Sequence, residues 1–301
     1  MFEHLLIPLD GSKMAEAALP AAAFLAEKFA SRVTLMHVVE RNAPNEVHGQ
    51  SHLKNAQKAS AYLRELSLRA FAKGIAVDCH VHEAEVDNVA ESIVAHADEL
   101  KHDLVIMCSH GRGKSLHLFL GSIAQRVIGM GSLPVLITHP DEQGIAPPFS
   151  CRNILIPLDR DPDHAKSLPI AQEIARACDA ALHLAIVVPR FSSLSGEAKV
   201  SGRMFPATSS RILEMACKDA EEFIKTEIES LRGLGFAVSG HVLRGVPADM
   251  ITDAANASSV DLTILATHGK TGMQAFWEGS VAHRICSFSR VPLLLIPLEK
   301  A

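Results

Sequence analysis

Short apolar runs alternate with amphipathic stretches along the whole chain. In the first half they predict this order of elements: strand 4–9, helix 14–30, strand 33–39, helix 51–73, strand 75–83, helix 87–101, strand 104–108, helix 122–130 and strand 134–138. Continuously apolar strands separated by helices are typical of a parallel sheet that is covered on both faces. The pattern therefore predicts a doubly wound, Rossmann-like α/β domain with an open parallel five-stranded sheet. Its ligand crevice should lie at the carboxyl ends of the strands.

The same pattern occurs twice in the chain. The segment LIPLD at 6–10 recurs at 155–159, which is 149 positions later. The segment DLVIxxxHG at 103–111 recurs as DLTIxxxHG at 261–269, which is 158 positions later. Because the offset grows by nine residues, we expect an insertion between the second and third strands of the second copy. The stretch 189–210, rich in Ser, Gly and Pro, is the expected place.

A polar segment rich in Pro and Gly separates the two copies. We assign residues 1–140 to the first domain, 141–150 to a linker and 151–301 to the second domain. The length of 301 residues accommodates two copies of such a unit and leaves no room for a third.

Composition and charge exclude several classes of protein. The net charge is −5, from 29 basic and 34 acidic residues, so the chain has no general attraction to nucleic acid or to anionic lipid. One Trp and one Tyr leave little for a base-stacking platform. The longest apolar runs are strand-sized, far below the roughly 20 residues of a membrane-spanning helix, and the N-terminus lacks a basic leader. We therefore expect a cytoplasmic protein with no nucleic-acid or membrane partner.

The six cysteines are scattered and include no CxxC pair, which favours reduced, structural thiols. One of them, Cys108, has an alternative interpretation as a reactive thiol, because a nearby helix N-terminus could lower its pKa. On the predicted third strand, His80 and His82 share one face. Two such histidines can bind Zn²⁺ or Cu²⁺ if another ligand joins them, but we favour solvent-facing strand histidines and no metal site.

The loop after the first strand carries a candidate binding group. Asp10 follows the strand directly and is succeeded by Gly11 and Ser12. A carboxylate at a strand end can accept hydrogen bonds from a ribose hydroxyl or a base. The alternative is that Asp10 or Ser12 only caps the next helix.

The loop after the fourth strand carries a second candidate. Gly111 lets the backbone turn sharply away from the strand, and Gly121 with Ser122 opens a helix. The free N–H groups of a helix N-terminus suit a phosphate. Two turn glycines and an N-cap serine are the alternative interpretation. The same spacing occurs in both copies, as Gly269 with Gly279 and Ser280 in the second, which favours a binding function.

These motifs resemble those of the universal stress proteins, and the resemblance covers nearly the whole chain as two domains in tandem. Nucleotide-binding members of that family carry a G-x2-G-x9-G-[S/T] signature after strand four and P-x-D after strand one. The resemblance implies a fold of the adenine nucleotide alpha-hydrolase-like type, with five parallel strands and four helices in each domain. It also implies that the domains pair through their last strands as an internal pseudo-dimer. Further implications are a homo-oligomer, an unidentified protein partner, and bound ATP or AMP with or without Mg²⁺.

The resemblance also implies which residues contact the nucleotide. These are Asp10, Val38, Met107, Gly111, Gly121 and Ser122 in the first copy, and Asp159, Val187, Leu265, Gly269, Gly279 and Ser280 in the second. Both copies depart from the signature, because its first Gly is Cys108 in one and Ala266 in the other. After strand three, the first copy has the acids Glu85 and Asp87 in place of Gly-x-Pro, and these would repel a triphosphate if they faced the crevice.

The resemblance implies a stress-response regulator or sensor that binds an adenine nucleotide in one or both domains. Two alternatives stay open at this point. One is a nucleotide-free interaction or scaffold protein. The other is a slow ATPase, although the sequence contains neither a GxxxxGK[ST] P-loop nor a GxSxG nucleophile elbow.

Overall fold

The computed structural model describes residues 1–41, 46–47, 50–51, 53–109, 120–141, 145, 147–159, 166–194, 196–257, 259–267 and 281–298. These residues form two compact units. Unit 1 holds the described residues up to Ser150 together with those from Pro292 onward, and unit 2 holds those between Cys151 and Val291.

Unit 1 has its elements in an alternating order. In chain order they are β1 (His4–Pro8), α1 (Lys13–Glu16), α2 (Leu19–Phe29), β2 (Arg32–Glu40), β3 (Glu46–Val47), β4 (Gln50–Ser51), α3 (Ala56–Ala70), β5 (Val77–Val86), α4 (Val89–Glu99), β6 (Leu104–Cys108), α5 (Ser122–Met130) and β7 (Val135–Thr138). Its main sheet has the order β7-β6-β1-β2-β5, and all these neighbours pair in parallel. The predicted doubly wound α/β fold is therefore confirmed, with β5 on the outer side of β2.

Unit 2 repeats the arrangement. Its elements are β8 (Asn153–Leu158), α6 (Ser167–Cys178), β9 (Ala181–Val188), a short 3₁₀ helix (Phe191–Ser193), α7 (Gly196–Met204), α8 (Pro206–Gly233), β10 (Val238–Arg244), α9 (Pro247–Ala257), β11 (Leu262–Thr267) and α10 (Val281–Phe288). The strand order is β10-β9-β8-β11, again parallel. Between β9 and β10 lie α7 and the 28-residue α8, whereas the corresponding α3 of unit 1 has 15 residues. The predicted insertion is confirmed.

One strand lies outside the unit that the repeat suggests for it. The repeat places the last strand, β12 (Leu293–Pro297), in the second copy, but in the structure it belongs to unit 1. There it pairs antiparallel with β7, with Leu294 opposite Leu136. The main sheet of unit 1 thus gains a sixth strand, whose side chains are largely buried.

Local chemistry explains where two predicted helices differ from the observed ones. The predicted helix 14–30 is divided into α1 and α2, and Pro20 lies in the first turn of α2, where its missing N–H costs nothing. The helix predicted from residue 51 begins at Ala56, because the Asn55 side chain accepts the N–H groups of Gln57 and Lys58.

The core consists of fully buried strands covered by helices that contribute small residues. Leu5, Leu6 and Ile7 of β1 are completely inaccessible to solvent. The buried face of α2 includes Ala21, Ala22 and Ala26, which let the helix pack close to the sheet. Within the described ranges, no helix is long and apolar enough to cross a membrane.

Candidate functional site

A cleft opens in unit 1 at the carboxyl ends of β1, β2 and β6, where a doubly wound sheet is expected to bind its ligand. Measured out to its open mouth, the cleft holds about 760 Å³ of empty space, which includes open solvent. Three of the predicted contact residues line it, namely Asp10, Val38 and Met107. The helices α4 and α5 complete the walls through side chains such as Ile93 and Ile123.

Asp10 lies in a tight turn that leaves half of its carboxylate available. Its Oδ1 accepts hydrogen bonds from the Ser12 N–H at 2.9 Å and from the Ser12 hydroxyl at 2.7 Å. Ser12 Oγ in turn accepts the Ala15 N–H, so Ser12 is the N-cap of α1. The capping interpretation is therefore correct for Ser12. Among the described residues nothing bonds to Asp10 Oδ2, and this oxygen is left for a ligand hydroxyl.

A buried histidine holds this loop in place. The His37 ring lies between two carbonyl oxygens, with Nδ1 2.7 Å from Leu9 O and Nε2 2.8 Å from Leu53 O. Leu53 packs over Gly11, whose φ of +92° is in the left-handed region. A Cβ at Gly11 would lie 2.7 Å from Leu53 Cγ, so both the conformation and the space require glycine. The sequence reasoning did not identify His37, although a histidine within an apolar strand was a signal.

The main chain of Val38 points into the cleft. Even-numbered residues of β2 bond to the β1 side, since Arg32 N–H donates to Glu3 O and Met36 O accepts the Leu9 N–H. Val38 is next in this series, but the β1–β2 pairing ends at Pro8 and Met36. The Leu9 carbonyl that would continue the ladder faces the His37 ring instead. The N–H and C=O of Val38 therefore lie beyond the end of β1, at the cleft.

Met107 and Cys108 form the part of the cleft contributed by β6. Both line it, and Met107 is 8% exposed. Burial, with a smaller contribution from the Asp10 carboxylate, raises the pKa of the Cys108 thiol to about 12. A raised pKa opposes the hypothesis that Cys108 is a reactive thiol, since the thiolate is the reactive form.

The N-terminus of α5 borders the opposite end of the cleft. Gly121 is its N-cap and makes no side-chain cap hydrogen bond, while Ser122 is the first helical residue. The next two residues, Ile123 and Ala124, line the cleft. The first amide groups of a helix have no partner within the helix, so this end can receive a negatively charged group. Gly111 lies outside the described residues.

Glu85, near the end of β5, and Asp87, just after it, are not part of the cleft. Asp87 forms an ion pair with Arg41 at 2.8 Å, and the second guanidinium nitrogen of Arg41 donates to the Glu85 carbonyl. Asp87 is largely exposed, and neither acid is among the described cleft-lining residues. The cleft contains a different acid, Glu40, at the end of β2, which the sequence analysis did not single out.

Unit 2 reproduces the first half of this geometry. Asp159 directly follows β8, as Asp10 follows β1. Odd-numbered residues of β9 bond to the β8 side, as shown by Ala181 N–H donating to Arg152 O. Val187 continues this series and is the counterpart of Val38 in position, but the β8–β9 pairing runs one pair further than β1–β2, to Leu158 and Ile186. Leu265 is buried in β11, whereas Gly269, Gly279 and Ser280 lie outside the described residues.

The strand histidines face a helix rather than solvent. His82 Nδ1 lies 3.3 Å from His96 Nε2 of α4, and the rings of His80 and His96 have centroids 4.8 Å apart. The solvent-facing interpretation is therefore wrong, since β5 turns this face towards α4. In the part of the chain that the structure describes, no group of three or more His, Cys, Asp or Glu side chains is arranged to hold a metal ion.

Comparisons with known proteins agree with this architecture. The model of the "Universal stress protein family" matches residues 1–139 and 150–297. The universal stress protein Sll1654 of Synechocystis is 33% identical over 138 residues, which cover 46% of this chain and 85% of that protein. The universal stress protein Mb2346c of Mycobacterium bovis is 26% identical over 95% of this chain and 96% of its own length.

A solved structure shows the same fold over both copies. The universal stress protein from Archaeoglobus fulgidus superposes with a TM-score of 0.67 at 17% identity, covering 99% of this chain and 97% of that one. Since the family model matches both copies, this chain belongs to the universal stress protein family and carries two of its domains in tandem.

Proposed function

We propose that this protein binds an adenine nucleotide, ATP or AMP, in the cleft of unit 1 and acts as a regulator or sensor in the stress response. The observation that carries the proposal is the convergence of three groups on one cleft. These are Asp10 Oδ2, the main chain of Val38 and the uncapped N-terminus of α5. Each suits a different part of a nucleotide.

The Val38 end of the cleft suits adenine. The purine edge presents an amino donor beside ring-nitrogen acceptors, which match one carbonyl and one amide group of a strand. Apolar side chains, including Met36, Ile93 and Met107, supply walls for the flat faces of the base. Glu40 adds a carboxylate that can accept from an amino group but would repel a phosphate.

Asp10 suits the ribose. Its Oδ1 is fixed by two hydrogen bonds from Ser12, so Oδ2 is held in one direction. A preorganised carboxylate that accepts from a hydroxyl makes a charge-assisted hydrogen bond, typically stronger than a neutral one. The turn at Gly11 and the His37 contacts fix this orientation from behind.

The N-terminus of α5 suits the phosphates. Amide groups that have no partner within the helix, together with the positive end of the helix dipole, favour an anion at Gly121 and Ser122. The described cleft residues include two carboxylates, Asp10 and Glu40, and no Lys or Arg. Mg²⁺ that enters with ATP would offset part of the negative charge of the phosphates and the two carboxylates. In this orientation the phosphates lie at α5, and the ribose lies near Asp10.

A regulatory role is favoured over a catalytic one by the sequence. The chain has no P-loop lysine, which in dedicated NTPases reaches the β- and γ-phosphates. A nucleotide-free interaction protein is the second candidate. It is favoured by Cys108, which replaces the first glycine of the signature and lines the cleft.

The proposal is tested by binding measurements on the full chain. Denatured protein is first examined by mass spectrometry for released nucleotide, and Mg-ATP and AMP are then titrated by calorimetry. Asp10→Asn should weaken binding about tenfold or more, because an amide can still accept from Ser12 while its NH₂ cannot accept from a ribose hydroxyl. Asp159→Asn is the matched variant in unit 2.

The outcomes separate the candidates. Binding that is lost in Asp10→Asn and kept in Asp159→Asn supports the cleft of unit 1. The opposite pattern would move the site to unit 2 and overturn the proposal. No released nucleotide and no heat with either ligand would favour the interaction protein.

A further inference from the structure

Two cysteines that are 27 positions apart meet at the start of unit 2. Cys151 lies just before β8, and Cys178 is the last residue of α6. The parallel pairing of Asn153 with Ala181 and the Ala181 N–H to Arg152 O hydrogen bond of 2.7 Å bring these two points of the chain side by side. The Cys178 side chain lies close enough to Cys151 to alter the ionisation of its thiol.

The backbone holds both thiols in this position. α6 ends at Asp179, whose φ of +53° turns the chain back, and the Ala180 N–H closes the helix end on Ala175 O. On the other side, the Asp261 carboxylate accepts the N–H groups of Arg152 and Asn153 at 2.7 and 2.9 Å. Neither cysteine therefore depends on a mobile loop for its position.

The two thiols differ in access. Cys151 is 2% exposed, whereas Cys178 is partly open to solvent. Both are in the reduced state in this structure. Such a pair combines one sulfur that an oxidant can reach with a second sulfur on the neighbouring stretch of backbone.

We propose that Cys151 and Cys178 are a redox modification site that closes to a disulfide when the protein meets a peroxide. The Cys178 thiolate attacks one peroxide oxygen, the O–O bond breaks, and the sulfur becomes a sulfenic acid while the second oxygen leaves as water. The Cys151 sulfur then attacks the Cys178 sulfur, the S–O bond breaks, the S–S bond forms and a second water leaves. Two thiols and one hydrogen peroxide thus give one disulfide and two waters, and the two electrons pass to the peroxide.

The local electrostatics set the speed of this site. The hydrogen bond to Cys178, burial and the Asp261 carboxylate all raise the pKa of Cys151. Since the thiolate is the reactive form, we expect the pair to respond to sustained rather than brief oxidation. The disulfide would enclose β8 and α6 in one covalent loop, and it would stabilise unit 2 chiefly by restricting its unfolded chain.

The site is independent of nucleotide binding. Cys151 lies before β8, whereas Asp159 follows the carboxyl end of the same strand. The disulfide therefore forms at the end of the sheet away from the nucleotide loops. The success or failure of one proposal does not decide the other.

The test is a mass measurement on the full-length protein treated with hydrogen peroxide and then alkylated. Before alkylation we expect a loss of about 2 Da, since two hydrogen atoms leave, and after alkylation two fewer alkyl groups than on untreated protein. Trypsin should release peptides 127–152 and 177–190 as one linked species that dithiothreitol separates. The unfolding midpoint of the oxidised protein should rise by about 5–10 °C, from the closure of a loop of this length.

Variants assign the chemistry to the pair. Cys151→Ser should leave Cys178 as a sulfenic acid that dimedone traps, and Cys178→Ser should abolish both the linked peptide and the rise in midpoint. Cys217→Ser is the matched control on α8 and should behave as wild type. Complete alkylation of Cys151 and Cys178 in the peroxide-treated wild type would overturn the proposal, as would a linked peptide that joins either cysteine to another. The wild-type result alone suffices if a variant fails to fold.

Discussion

His102 makes the stability of unit 1 dependent on pH. The side chain is 4% exposed, and its ring stacks on that of His4 with centroids 3.9 Å apart. Neither ring nitrogen has a hydrogen bond of normal geometry among the described residues. Burial, and to a lesser extent the charge of His4, lower the pKa of His102 from 6.5 to about 4, although the backbone at Ala97 and His96 opposes the shift.

The sign of the effect follows from linkage. Because the folded-state pKa is depressed, protons bind more readily to the unfolded chain, and acid favours unfolding. The contribution of His102 is complete above its unfolded pKa of 6.5 and is lost as the pH falls towards about 4. Between about pH 7.5 and about pH 5 the expected loss is roughly 2 kcal/mol in the free energy of unfolding, since one unit of pKa corresponds to about 1.4 kcal/mol.

The measurement is urea unfolding followed by circular dichroism at a series of pH values. Between these two pH values, His102→Leu should lose roughly 2 kcal/mol less free energy of unfolding than wild type. This difference does not depend on how the substitution changes stability at neutral pH. His241→Gln, at an exposed histidine, is the control and should change the slope far less. If wild type and His102→Leu lose the same free energy between these two pH values, the burial argument is refuted.

Three further predictions concern turns, caps and strand ends. Gly11→Ala should destabilise the protein by about 1–3 kcal/mol more than Gly74→Ala in thermal unfolding. Both glycines have a positive φ, but only at Gly11 would the new Cβ meet a neighbour, Leu53 Cγ at 2.7 Å. Equal losses of stability in the two variants would contradict this. Asn55→Ala should cost about 1 kcal/mol in urea unfolding by removing the cap of α3, whereas Asn55→Asp should retain most of the stability. Asp103→Ala should cost about 1–3 kcal/mol by leaving the N–H groups of Glu3 and His4 without their carboxylate, and hydrogen exchange at those two amides should accelerate; unchanged exchange would exclude this role.

Two aspartates that recur in both copies have a structural role rather than a binding role. Asp103 and Asp261 occur at the same place in both copies of the repeat. In the structure each carboxylate accepts two backbone N–H groups at the start of the neighbouring strand. They lie at the amino ends of the strands, away from the cleft. Their recurrence therefore reflects hydrogen bonds that join neighbouring strands of the sheet rather than ligand binding.

The candidate site was predictable in part. Asp10 was identified from its place next to a strand end, and Val38 from the resemblance to the universal stress proteins; the parallel sheet brings such strand ends together. His37 and Glu40 were not identified, because each lies within or at the end of an apolar strand and carries no motif of its own. Their importance depends on where β1 stops pairing with β2, which no local pattern encodes.

The sequence by itself determined the element order, the repeat and the inserted segment. These features depend on side-chain periodicity, helix caps and glycine conformations, which act over a few residues. Only the tertiary structure decided that β12 belongs to unit 1, that His80 and His82 face α4, and that Cys151 lies close to Cys178. Each of these contacts joins residues far apart in the chain. Such contacts follow from strand order and register, which are set by the packing of the whole sheet rather than by any short segment.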